Sequence, residues 1–109
     1  MDPRIETIVL AIQTETSRKL DIERLARRAN LSTSHLRHLF KLEIGLTVMQ
    51  YVKLIRMQKA EHLLRTTFLS VKEIMNRVGI SNESYFSREF KKTHGLAPGK
   101  YRAAHKGRK

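Results

Sequence analysis

The sequence predicts an all-α fold: two helix-turn-helix subdomains joined by a long central helix, about seven helices in all. Three observations predict it. The first is internal repetition. Leu36, Phe40, Lys41, Gly45, Leu46 and Tyr51 recur 50 residues later as Phe86, Phe90, Lys91, Gly95, Leu96 and Tyr101. Upstream the offset is one shorter, with Leu25, Leu31 and Ser32 answered by Ile74, Ile80 and Ser81. The second is periodicity: apolar residues recur at helical spacing, and nothing alternates with period two long enough to make a strand. The third is that helix caps fall where the repeats begin and end. The predicted subdomains occupy residues 1–46 and 66–102, the linking helix 47–65, and a basic tail 103–109.

Each element has a local reason. Residues 3–16 form a first helix because Ile5, Ile8, Val9 and Ile12 share one stripe. Asp21 caps a second helix reaching about Ala29, with Leu25, Ala26 and Ala29 on its inner face. Asn30-Leu31-Ser32 is a tight turn, and Ser32 caps a third helix that runs to about Leu42. Gly45 stops it. Thr47 and Gln50 make a capping box opening a fourth helix, which ends near Leu64. At ~18 residues it is ~27 Å long, with Val48, Val52, Ile55, Leu63 and Leu64 as its apolar positions. Ser70 and Glu73 make a second capping box for a fifth helix ending at Val78. Gly79 takes the place of Asn30; both types tolerate the left-handed backbone of a helix-ending turn. Ser81 caps a sixth helix to about Thr93, Gly95 ends it, and Pro98 opens a short last helix carrying Tyr101.

Charge narrows the function. Twenty-two Lys and Arg against ten Asp and Glu give +12, which favours a polyanionic partner. Residues 91–109 hold seven of the basic residues and no acid. Residues 103–109 read as a solvated tail; residues 91–102 belong to the second repeat and suit phosphate. With no Cys there is neither a disulfide framework nor a thiolate metal site, which is compatible with a reducing, cytoplasmic compartment. No apolar run approaches the ~20 residues of a membrane span, and the N-terminal stretch, broken by polar residues, is not a secretory signal. The apolar faces are better accounted for by packing than by a membrane surface.

The third and sixth helices are the candidate readers. A helix-turn-helix lays its second helix in the DNA major groove, so that helix must be apolar behind and polar in front. On the third, Leu36, Leu39 and Phe40 sit behind, and Ser34, Arg37, His38 and Lys41 share the front. On the sixth, Phe86 and Phe90 sit behind, with Ser84, Ser87, Arg88 and Lys91 in front. Arg can take guanine O6 and N7 with two donors, and Ser is a small adaptable partner. The base-reading candidates are therefore Ser34, Arg37, His38, Glu83, Ser84, Ser87 and Arg88. Glu83 either complements its helix N-terminus or accepts from cytosine N4; Glu89 is expected to point sideways. The phosphate candidates are Ser32, Lys41, Asn82, Lys91, Lys92, Lys100 and Arg102. Any amphipathic helix has a polar face, so one stripe alone says little. Two in register, each behind a matching turn on a strongly basic chain, say much more.

The residues at this point carry a family resemblance. LARRANLSTSHLRHLFKLEIGLTVMQYVKLIRMQKAEHLL, followed by SVKEIMNRVGISNESYFSREFKKTHGLAPGKYR, resembles the DNA-binding domain of the AraC/XylS family of bacterial transcription regulators. The likeness covers roughly residues 20–102. Its more specific half holds Val78-Gly79-Ile80-Ser81, Ser84-Tyr85-Phe86-Ser87-Arg88, Gly95, Pro98 and Tyr101-Arg102. The resemblance implies two recognition helices entering successive major grooves of double-stranded promoter DNA. They would stand about one helical turn, ~34 Å, apart, with DNA bending at an elastic cost. It also implies an activator that touches RNA polymerase. The length fits single-domain members or the C-terminal part of a larger regulator.

The sequence departs from the family pattern at His38, where Arg is frequent. His38 is open to three roles: a surface residue, a phosphate contact when protonated, or a base reader. Met75 and Ile80 replace Ala and Phe, as core repacking would. Two readers on one chain make a monomer sufficient.

Other classes fare worse. A sequence-indifferent nucleic-acid binder or architectural protein would show more Lys and fewer ordered readers. His35 and His38 stand three apart on one helix, but no carboxylate completes a metal site. No nucleophile–base pair or Gly-rich phosphate loop suggests an enzyme, and no cofactor is expected. His62, His94 and His105 read as surface or cap residues.

Overall fold

The computed structural model describes residues 1–105. Among them there are seven helices and no strand: α1 (Pro3–Thr14), α2 (Ile22–Arg28), α3 (Thr33–Ile44), α4 (Val48–Thr66), α5 (Val71–Val78), α6 (Glu83–His94) and α7 (Pro98–His105). The all-α expectation holds, with helix ends within two residues of those read from caps and periodicity. The chain divides into two compact units, Met1–Ile55 and Arg56 onward. The predicted tail begins inside α7, which carries residues 103–105; residues 106–109 lie outside the described ones.

Each unit has its own core. In the first, Ile5, Ile8, Leu25, Leu36 and Phe40 pack with Val48, Val52 and Ile55 of α4. In the second, Ile74, Met75, Val78, Ile80, Phe86, Phe90 and Tyr101 pack with Met57, Ala60 and Leu64. The three-four spacing of α4 breaks between Ile55 and Met57, so α4 shows no single apolar stripe. That break hid Met57 and Ala60 from periodicity. Met75 and Ile80 are both buried, as repacked core.

The caps follow the sequence closely. Ser32 Oγ accepts from His35 N–H, and Thr47 and Gln50 exchange reciprocal bonds. Ser70 and Glu73 form a complete capping box. The sixth helix is the exception. Asn82, not Ser81, caps it, accepting from Tyr85 N–H at 2.8 Å. Asn30 (φ 57°) and Gly79 (φ 80°) are left-handed at matching places, and Leu31 and Ile80 donate to Ala26 and Met75 carbonyls alike. Ser81 is therefore the one added residue in the second turn, and it accounts for the change of offset between the repeats.

Around α7 two expectations give way, those for Arg102 and His94. Arg102 does not face outward to phosphate; its guanidinium donates to the carbonyls of Leu64 and Thr67 and so caps the end of α4. His94 is no ordinary surface residue. Its ring stacks on Phe90 with centroids 4.4 Å apart, and its Nδ1 is buried with no hydrogen-bond partner. His105 stacks on Tyr101 at 4.0 Å.

Tyr101 also donates its hydroxyl to Glu61, which accepts from Arg65 at 2.6 Å. Burial alone would raise the Glu61 pKa. The hydrogen bonds from Arg65 and Tyr101 outweigh it and hold the carboxyl below its usual range. A depressed folded-state pKa means stability present above the usual glutamate range and lost as pH falls through the folded value. Tyr101→Phe should therefore cost about 1.5–3 kcal/mol at pH 7, the worth of a hydrogen bond to a charged group. Paired denaturant titrations should show that penalty shrinking once Glu61 is protonated. A penalty independent of pH would mean the hydroxyl contributes nothing through this carboxylate.

Candidate nucleic-acid interface

The front of α3 is open. Ser34, Arg37, His38 and Lys41 are all exposed, while Leu36 and Phe40 behind them are fully buried. The side chains of Arg37, His38 and Lys41 make no hydrogen bond or ion pair among the described residues. Ser32, expected to meet phosphate, spends its hydroxyl on the helix cap. The other first-turn amides have no intrahelical acceptor and remain suited to an anion.

On α6 the same stripe is present with local differences. Glu83, Ser84, Arg88, Lys91 and Lys92 are exposed and Ser87 is half-buried, over a buried Phe86 and Phe90. Asn82, like Ser32, uses its side chain as a cap. Glu89 does not point sideways. It is buried, and its carboxylate takes Lys92 at 3.2 Å and Arg88 at 3.6 Å. Both cations keep most of their surface, 62% for Arg88 and 70% for Lys92, while the carboxylate they share is covered. Glu89 thus pairs with two neighbouring cations on α6. Lys100 is exposed on α7.

Two residues escaped the sequence reading. Tyr85 is 36% exposed, with the Arg88 guanidinium 6.0 Å from its ring centroid, at the outer limit for a cation–π contact. Its position three before Arg88 was a usable signal. Arg56 is half-buried, and burial lowers its pKa while Tyr85 opposes the shift. Nothing in the sequence links residues 56 and 85.

At the corner between α1 and α2, Glu15 gathers three arginines: Arg28 at 2.6 Å, Arg18 at 3.2 Å and Arg24 at 3.5 Å. The Arg28 hydrogen bond leads the causes that hold the Glu15 carboxyl below its usual range.

A family model described as "Helix-turn-helix domain" matches residues 25–104. The C-terminal domain of AraT, a response regulator from Geobacillus stearothermophilus, is 35% identical, with a TM-score of 0.89 over 96% of this chain and 88% of that one. The chain belongs to the AraC family of DNA-binding helix-turn-helix domains. The AraC-family likeness extends to the DNA-binding domain of AdpA, solved in complex with a target DNA. That domain is 30% identical, with a TM-score of 0.84 over 95% of this chain and 93% of that one. The arabinose operon regulatory protein of Escherichia coli is 37% identical over 83 residues, 76% of this chain and 28% of that protein. Curated relatives of the family are longer; the chain spans between 13% and 36% of their lengths. No helix among the described residues is long and apolar enough to cross a membrane.

Proposed function

We propose that the chain is a sequence-specific, double-stranded DNA-binding transcription regulator that sets α3 and α6 into successive major grooves. One observation carries this reading: two helices of matched length each present an exposed stripe of Ser and Arg, with Lys at the far end, over a dry aromatic back. Arg37 and Arg88 are the guanine readers, Ser34, Ser84 and Ser87 the short polar contacts, and His38 and Glu83 the residues that make the two helices unlike. Lys41, Lys91, Lys92 and Lys100 meet phosphate. The subdomains at residues 1–46 and 66–102 act as one reader through the helix at 47–65, so a monomer suffices. Activation, with a contact to RNA polymerase, and a cytoplasmic setting are extended from the family relationship alone.

Selection of bound sites from a random DNA pool should return an asymmetric motif of two unlike blocks about ten base pairs apart. Recovery of no motif would favour a sequence-indifferent binder. On the selected site Arg88→Ala should cost about 1–3 kcal/mol and relax preference at one base pair. Equal weakening on every sequence would instead assign Arg88 to phosphate.

A further inference from the structure

Next to the front of α3 lies a groove lined by Arg18, Lys19, Arg24, Thr33 and Arg37. Three separate elements supply its cations: the α1–α2 connection, α2 and α3. The side chains of Lys19 and Arg37 make no hydrogen bond or ion pair among the described residues. Two acids also line the groove, Asp21 and Glu23. The Asp21 carboxylate is engaged in capping α2, accepting from Arg24 N–H at 3.1 Å. Four cations against two acids leave the groove net positive. Glu15 is shared among Arg18, Arg24 and Arg28, so that cluster is short of negative charge. Thr33 opens α3, so the positive end of that helix adds to the field.

We propose that this groove seats one DNA backbone phosphate, outside the two reading stripes. The inference rests on the DNA-binding reading above. The chemistry suits a phosphodiester: planar guanidinium forks match a tetrahedral oxyanion, and the Lys19 ammonium adds a point charge that can adjust. Arg37 belongs to both the groove and the reading stripe. The seated phosphate therefore adjoins the base that Arg37 reads and fixes the register of α3 on it.

The test uses the full chain and a DNA duplex selected by it. Lys19→Ala should weaken binding about tenfold on all sequences alike, reduce the salt slope by about one, and leave the melting temperature unchanged. Arg28→Ala, which removes a Glu15 partner that does not line the groove, should leave the slope as it was. Replacing single phosphates of the duplex by neutral methylphosphonates should weaken the wild type at a position beside the Arg37 block. That penalty should shrink in Lys19→Ala and shrink further in Lys19→Ala/Arg24→Ala. Unchanged affinity and slope in both Lys19→Ala and the Lys19→Ala/Arg24→Ala double variant would overturn the seat. So would a loss confined to some sequences. If the wild type binds selected and random DNA equally, the regulator reading fails, while the slope and the methylphosphonate scan still decide the seat.

Discussion

Phe90→Ala should cost about 3–5 kcal/mol, the largest effect of any single substitution in the second unit. Phe90 is fully buried, with ring neighbours on three sides: Phe86 at 5.7 Å, Tyr101 at 5.3 Å and His94 at 4.4 Å. Truncation leaves a void lined by rings that cannot rotate to fill it, and aromatic pairing is lost besides. Small domains hold only about 5–15 kcal/mol in total, so this loss takes a large share. Hydrogen exchange should show protection falling first around Ile74, Phe86 and Tyr101, which share the core with Phe90. Leu42→Ala is the control: Leu42 is 71% exposed on α3, and its removal should change stability by about 0.5 kcal/mol or less. Equal costs for the two variants would mean the second core is not packed around Phe90.

The residues that were legible in the sequence act over one or two turns of chain. Ser32, Thr47 with Gln50, and Ser70 with Glu73 cap their helices as expected, because a cap is a contact with the amide two or three residues on. The α3 stripe was equally readable, since helical period alone sorts Leu36 and Phe40 from Arg37 and Lys41. Ser81 and Asn82 defeated the same logic: both are good caps, they are adjacent, and only the path of the turn chooses between them. Arg102 failed for another reason. Its acceptors, the carbonyls of Leu64 and Thr67, are 38 and 35 residues away, and no local pattern announces them. Glu89 shows the limit of charge counting. Its partners Arg88 and Lys92 are near in sequence, but only the packing of α6 shows that the acid is buried against them. The groove beside α3 was invisible because Lys19, Arg24 and Arg37 converge only once the α1–α2 corner has formed.

Affinity for DNA should fall about 500-fold between 50 and 200 mM salt, with a log–log slope of about −4.5. The charge of +12 on 109 residues makes a steep dependence expected, but only cations at phosphates set the slope. Exposed Lys41, Lys91, Lys92 and Lys100 offer four, and the groove seats one more. At about 0.9 per phosphate, five contacts give the stated slope. Arg102 does not count, because the end of α4 holds it. Lys92 can reach phosphate with its exposed ammonium while Arg88 stays near the buried Glu89 carboxylate. The slope also separates the roles assigned to the front residues. Arg88→Ala, if Arg88 reads a base, should lower affinity for the selected site and leave the slope nearly unchanged. Lys91→Ala should do the reverse, reducing the slope by about one with little effect on sequence preference. Equilibrium titrations at four or more salt concentrations would show both, and a slope near zero for the wild type would rule out phosphate neutralisation as the source of binding.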